Sequence, residues 1–441
     1  MAVNSSSSLP VRPVIHAPSV ITILAPGETA LPQRGGGRAT DRVAQLTSLL
    51  EALVDPAHAI DALGYRKALE ARSPNTVKAL ANDLACYAAF SEGSGGPALP
   101  ASAAWVVRYC DHLEALGIKP ATAARRLTSL AVIHGLLEVT SPTREPVVRD
   151  TMAGYRRRQG MRQRQAGALR FGAGIEAALA LRSEEGLAEK GRGPSRAAFT
   201  LTALLAACDT DPPGLRDAAL LSLGYDTGLR VAELVRVACE HIAASDDGSG
   251  AGTLFIPTSK TDQMGEGAYA WISPESMRRI GAWLKAAGFQ SGAVFRRVAV
   301  RRSKARAAVR PVAIGTLSPN AQLTEERLYG RKALPGKITY AIGEGAITPA
   351  AVRLILKRTA LRAADFGLVQ LYGQALDDAI DQLSTHSLRV GLTQDLFANG
   401  ADAGPVAQAL RWTSTSTALR YGRALAPASN ATAQMLRDVR R

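Results

Sequence analysis

The chain has 441 residues, 46% of them apolar and only 5% aromatic, with 53 lysines and arginines against 38 acidic residues for a formal charge of +15. That length allows two or three domains with ample core, the alanine- and leucine-rich composition favours a soluble, mainly helical fold, and the charge points to a polyanionic partner, DNA or RNA first. No stretch is long and apolar enough to span a bilayer, the first residues lack a secretory layout, and Cys86, Cys110, Cys208 and Cys239 have no disulfide or zinc spacing, so they read as buried thiols of a cytoplasmic protein.

Residues 1–58 read as a disordered arm, with Ser, Pro and Gly mixed through the first 40. Within it VITIL (Val20 to Leu24) is an apolar piece suited to docking on a partner. The pattern turns helical near residue 41, and a helical bundle is drawn over residues 59–155. In SPNTVKALANDLACYAAF, Ser73 is the expected cap and Pro74 the first helical residue, after which Val77, Leu80, Leu84 and Tyr87 recur at helical spacing. A second helix carries Trp105, Val106, Tyr109 and Leu113. A third places Leu127, Leu130, Ile133 and Leu137 on one side, with Lys119, Arg125 and Arg126 toward its start.

The arginine-rich run that follows Tyr155 opens a basic linker and insertion over residues 156–198, suited to backbone phosphate contact. The second domain is drawn over residues 199–441. TLTALLAAC and LRDAALLSLGYDTG are helical by pattern, and Gly228 interrupts just before Arg230. TLFIP and YAWI flank the turn-rich SKTDQMGEGA, which predicts a β-hairpin with Lys260 near its tip. Residues 296–346 read as irregular and basic, and Pro349 then opens another helix. In STHSLRVGLTQDLFANG, Ser384 or Thr385 can cap a helix that Gly400 ends, and His386 and Arg389 share one face of it. Pro405 starts a short helix, Trp412 lies just beyond it, and Ser414 or Thr415 can cap the segment that carries Tyr421.

Two arginines, an imidazole, an indole N–H and a phenol suit attack on a phosphodiester. The five-coordinate state spreads extra negative charge over the non-bridging oxygens, and the forked, permanently charged guanidiniums of Arg230 and Arg389 match them. A phenol ordinarily ionises near pH ~10, so an attacking Tyr421 needs a proton acceptor, and His386 can serve. Lys260 is a reasonable donor to the leaving oxygen, and Trp412 has one N–H to offer the phosphate. Singly, each residue has an ordinary role: a surface pair, a core indole, a turn lysine, or a helix ion pair for Arg230 with Glu233.

Together, TGLRVAEL, THSLRVG and GADAGPVAQALRWTSTSTALRYGR resemble the two boxes of the tyrosine recombinase (phage integrase) family. The spacing, with Trp412 23 residues after Arg389 and Tyr421 9 after Trp412, resembles its Cre-like members, which carry tryptophan where many relatives carry histidine. The resemblance implies a mainly α fold: a SAM-like core-binding bundle and a mixed α+β catalytic domain with a small antiparallel sheet, clamped around duplex DNA. It implies phosphate clamping by Arg230 and Arg389, orientation of the site by Glu233, and Lys260 as general acid. His386 would assist proton transfer, Trp412 would bind the scissile phosphate, and Tyr421 would attach to a DNA 3′ phosphate. Neither metal nor other cofactor is implied. Strand exchange would pass through a Holliday junction in a homotetramer on inverted-repeat sites, with the final segment docking on a neighbour. Asn75, Lys78, Lys119, Arg125 and Arg126 are the expected DNA contacts of the bundle. A type IB topoisomerase-like nicking-closing enzyme and a catalytically silent DNA-binding protein on the same scaffold are the alternatives.

Overall fold

The structure is a computed structural model that describes residues 20–24, 41–55, 61–94, 98–160, 166–172, 199–259, 262, 265–313, 316, 322 and 324–422. The chain divides into two compact units, one spanning Gln33–Gln165 and the other Met1–Pro32 with Ala166–Arg441. The described residues are mainly helical, with small sheets in the second unit.

In the first unit the helices are α1 (Arg42–Leu53), α2 (Ala62–Glu70), α3 (Pro74–Ser94), α4 (Ala103–Ala115), α5 (Pro120–Leu136) and α6 (Pro146–Gln159). Helix α3 begins as the sequence requires, with Ser73 Oγ accepting the Thr76 N–H at 3.2 Å and Pro74 in the first turn, where an N–H has no helical partner. The predicted apolar stripes of α3, α4 and α5 meet in one core, where the Tyr87 and Tyr109 rings contact edge to face at 5.1 Å.

The first unit departs from the sequence expectations at its start and at single positions. The arm does not run to residue 58: Asp41 caps α1, and Leu46 and Leu50, one turn apart, are buried in the bundle core. Arg126 is not exposed: its side chain is only 16% accessible and faces Asp83, itself 4% accessible. Arg125 pairs with the same carboxylate, and Ser129 donates to it at 2.7 Å. A buried carboxylate requires such partners, which ties Arg126 to the bundle, while the Arg125 side chain remains 52% accessible. Cys86 is exposed, because its position on α3 falls on the solvent side.

The second unit starts with β1 (Val20–Leu24) and continues with α7 (Leu201–Ala206), α8 (Pro212–Thr227), α9 (Val231–Leu234), β2 (Ile242–Ala244), β3 (Gly252–Ile256), β4 (Ala268–Ile272) and α10 (Pro274–Ala287). It goes on through β5 (Arg296–Ser303), α11 (Glu325–Tyr329), β6 (Lys337–Ala346), α12 (Pro349–Asp365), α13 (Gly373–Gln382), α14 (Ser387–Ala398), α15 (Ala403–Ala409) and α16 (Thr415–Gly422). The predicted hairpin is β3–β4, antiparallel with Phe255 opposite Tyr269, and β2 adds a third strand beside β3. Lys260 lies outside the described residues, as do residues 173–198 of the expected insertion and the segment after residue 422.

The stretch over 296–346 is more regular than its arginine content suggests. β5 and β6 pair antiparallel, and ITYAI gives β6 the continuous apolar run of a central strand. Its other edge is taken by β1, parallel, with Val20 opposite Lys337. VITIL thus docks on its own chain. No helix among the described residues is long and apolar enough to cross a membrane, and these residues hold no cluster of three or more His, Cys, Asp or Glu suited to a metal ion.

Candidate active site

Helix α8 runs through the core of the second unit, with Leu220, Leu221 and Leu223 inaccessible to solvent, and Gly228 ends it in the left-handed conformation at φ 54°. That turn needs glycine twice over. A Cβ there would be strained by φ and would lie 2.4 Å from Leu410 Cδ2, a fully buried side chain. Gly228→Ala is therefore expected to lower unfolding free energy by about 1–3 kcal/mol, read from the urea midpoint at unchanged slope. A midpoint equal to wild type would contradict this packing.

Arg230 follows immediately and precedes the short α9. Glu233 accepts the Arg230 backbone N–H at 2.9 Å through one oxygen and the Arg230 guanidinium at 2.9 Å through the other. The carboxylate thus caps the helix and aims the arginine with a single side chain.

Helix α14 supplies the other half. Its entry is a serine turn in which Ser384 Oγ accepts the His386 N–H at 3.1 Å, and Ser387 Oγ accepts the Ser384 N–H at 2.9 Å. The short segment 166–172 is strapped across the helix: the Leu169 N–H donates to Ser387 O at 3.0 Å, against Gly391, where a Cβ would meet the Leu169 carbonyl. Asp395 anchors this strap by accepting from Arg170 Nε at 2.5 Å, Phe171 N at 2.8 Å and Tyr225 Oη at 2.6 Å. One buried carboxylate therefore ties the strap to α14 and α8 at once.

Arg389 is 1% exposed. Its guanidinium donates to Gly228 O and Leu410 O, each at 2.5 Å, the carbonyls that end α8 and α15. Burial pushes its pKa down to about 10, with Arg230 and Arg411 adding to the effect, so it stays charged at neutral pH. The guanidinium carbon lies 4.9 Å from the Trp412 ring centre, and the Tyr421 ring stacks on Trp412 at 5.1 Å and 15°. Tyr421 Oη is 2.7 Å from Nε2 of His386. Burial lowers the His386 pKa, and the charges of Arg389 and Arg230 push it the same way, which keeps the ring neutral and one nitrogen free to accept.

The fold therefore brings Arg230, Glu233, His386, Arg389, Trp412 and Tyr421, from the ends of α8 and α15 and from α9, α14 and α16, into one cluster. Pro405 does not open α15, which begins two residues earlier at Ala403. Of the proposed DNA contacts, Asn75, Lys78, Lys119 and Arg125 are exposed on the first unit, and Arg126 is half-buried. Sequence reasoning missed Asp395, whose partners are distant in the chain, and Arg411, whose Nη2 donates to Thr227 O at 3.1 Å. For Arg411 a signal existed: the apolar helix AGPVAQAL stops without a glycine.

No protein-family model matches the chain. Over 241 residues it is 28% identical to an integrase/recombinase xerD homolog of Selenomonas ruminantium, covering 52% of this chain and 62% of that protein. The chain thus spans less than two thirds of the length of this curated relative. Among solved structures it is similar to XerH site-specific recombinase bound to palindromic difH substrate in a post-cleavage complex, with 11% identity, TM-score 0.45, and coverage of 88% of this chain and 95% of that one. It is also similar to the Tn1549 transposon integrase in complex with circular intermediate DNA, with 10% identity, TM-score 0.39, and coverage of 81% and 94%.

Proposed function

We propose that the chain is a tyrosine-type site-specific DNA recombinase that breaks and rejoins DNA through a 3′-phosphotyrosine intermediate. The observation that carries this reading is the 2.7 Å contact between the Tyr421 hydroxyl and a His386 nitrogen kept neutral beside buried Arg389. In the attack, Tyr421 Oη forms a bond to phosphorus while its proton passes to His386 Nε2. The bond from phosphorus to the 5′ oxygen breaks, and Lys260 is the proposed donor of the proton that oxygen takes up. Arg230, held by Glu233, and Arg389 bind the non-bridging oxygens as their charge grows, which lowers the barrier without moving a proton. The phosphotyrosine bond conserves the energy of the original linkage, so a second 5′ hydroxyl can reverse the step on a new strand.

The tryptophan at position 412 supports placing the chain near the Cre-like members. Assembly as a homotetramer on inverted-repeat sites, with a Holliday junction between exchanges and a tail contact from the residues after 422, belongs to the same proposal. Asn75, Lys78, Lys119 and Arg125 are its candidate DNA contacts on the first unit, with the half-buried Arg126 beside them. A DNA substrate also fits the cytoplasmic location expected from the sequence.

A library of nicked duplexes with randomised sequence tests this reading, because a nick just beyond the cleaved bond lets the short fragment bearing the freed 5′ hydroxyl diffuse away and traps the covalent complex. The expected result is a protein–DNA adduct stable to denaturant, from which the preferred site is sequenced. Two labelled duplexes carrying that site should then yield products joining both labels. Relaxation of supercoiled DNA without joined products would instead favour the nicking-closing alternative, and no adduct at all would favour the silent DNA-binding one.

The His386 contact also sets a pH dependence. Its pKa is lowered from the ordinary 6.5, so the proton-accepting form persists below that value. Adduct formation by the wild type should hold level as pH falls through 6.5 and decline only at more acidic pH. His386→Gln, slower throughout, should lack this acidic limb. An unaltered limb in the variant would place the titrating group elsewhere.

A further inference from the structure

Helix α15 ends in a turn of the Schellman type: the Trp412 N–H donates to Ala407 O at 2.8 Å and the Arg411 N–H to Gln408 O at 3.0 Å. Such a turn requires one residue in the left-handed region, where glycine sits without steric cost. Here that residue is Arg411, at φ 54°. Among the described residues only one other non-glycine, Glu138, has positive φ. Strain retained under so large a side chain points to a use for the side chain itself.

That side chain lies in the site. Its Nη2 donates to Thr227 O at 3.1 Å and its Nη1 approaches Ala409 O at 3.5 Å. The next carbonyl along α8, Gly228 O, receives Arg389 at 2.5 Å, and Arg230 follows two residues later. Three guanidiniums therefore gather about the single turn 227–230. Two hydrogen bonds do not exhaust the five N–H donors of Arg411. Among the described residues one carboxylate faces the three cations, Glu233, already paired with Arg230 at 2.9 Å. Burial lowers the Arg411 pKa; Glu233 opposes that shift and Arg230 adds to it. A surplus of positive charge held in a partly desolvated pocket is relieved by an anion that takes donors from all three.

We propose that Arg411 is a third phosphate-binding arginine, which with Arg230 and Arg389 holds the non-bridging oxygens of the phosphodiester that Tyr421 attacks. The proposal rests on the recombinase reading for the identity of the anion's carrier, while the anion site itself stands on the geometry of the turn. The arginine occupies a position that favours glycine because its guanidinium is needed in the pocket.

The variant Arg411→Gly separates this role from a structural one, since glycine suits the turn. Its thermal midpoint should stay close to that of the wild type, the relief at the left-handed position offsetting the lost bond to Thr227 O. Inorganic phosphate should raise the midpoint of the wild type and leave that of the variant nearly unmoved. Adduct formation on the nicked library should fall roughly 10–100-fold in Arg411→Gly, the size expected for one charge-assisted contact to the reacting phosphate. Arg411→Lys should recover part of it. A phosphate-dependent rise that is equal in both proteins, or absent from both, overturns the anion site. A variant that forms adduct at the wild-type rate overturns its part in the reaction. If the wild type itself forms no adduct, the recombinase reading falls, and the phosphate titration still decides whether Arg411 binds an anion.

Discussion

Arg389→Ala is expected to lose at least about 10³-fold in adduct formation and to destabilise the second unit by about 2–5 kcal/mol. Both effects arise from one guanidinium. Its removal leaves Gly228 O and Leu410 O, buried ends of α8 and α15, without their donor, at about 1–3 kcal/mol each. It also removes the cation beneath Trp412, on which the Tyr421 ring is stacked. Arg389→Lys keeps the charge but has no planar fork to reach two carbonyls and a phosphate, so its activity should fall well below wild type with a smaller loss of stability. Adduct formation and denaturant unfolding measured on the same preparations check this. Cleavage within about tenfold of wild type in Arg389→Ala would remove this residue from the clamp.

Tyr421→Phe should behave in the opposite way, with the chemistry lost and the fold kept. The substitution deletes the oxygen that would bond to phosphorus, so adduct formation should fall by at least about 10⁴-fold, to background. The ring still stacks on Trp412, and only the hydrogen bond to His386 is lost, so stability should change by no more than about 0.5–1.5 kcal/mol. DNA binding by the variant should persist in a gel-shift measurement. An adduct formed by Tyr421→Phe would assign the nucleophile to another side chain.

Much of this site is legible in the chain because its chemistry sits in short runs. His386 and Arg389 are one helical turn apart, Arg230 and Glu233 likewise, and Gly228 marks the end of α8 just ahead of them. The bundle helices are equally plain, since the apolar period of α3, α4 and α5 is uninterrupted. What escapes the sequence depends on partners far apart. Asp395 gathers Arg170, Phe171 and Tyr225, the first two more than 220 residues away, and nothing in DLFANG signals that it anchors a strap. Arg126 looks solvent-facing until Asp83 is found buried beside it. The dense arginines of β5 hide a strand, because pairing with the apolar β6 decides its conformation more than its own composition does.

The proposed reaction turns on one covalent bond, and mapping that bond tests it most directly. The adduct trapped on nicked DNA is digested with nuclease and trypsin, and the nucleotide-bearing peptide is sequenced by mass spectrometry. The expected result is a 3′-linked nucleotide on the oxygen of Tyr421, within the fragment Tyr421–Arg423. A nucleotide carried by any other residue, or linked through its 5′ phosphate, would contradict it.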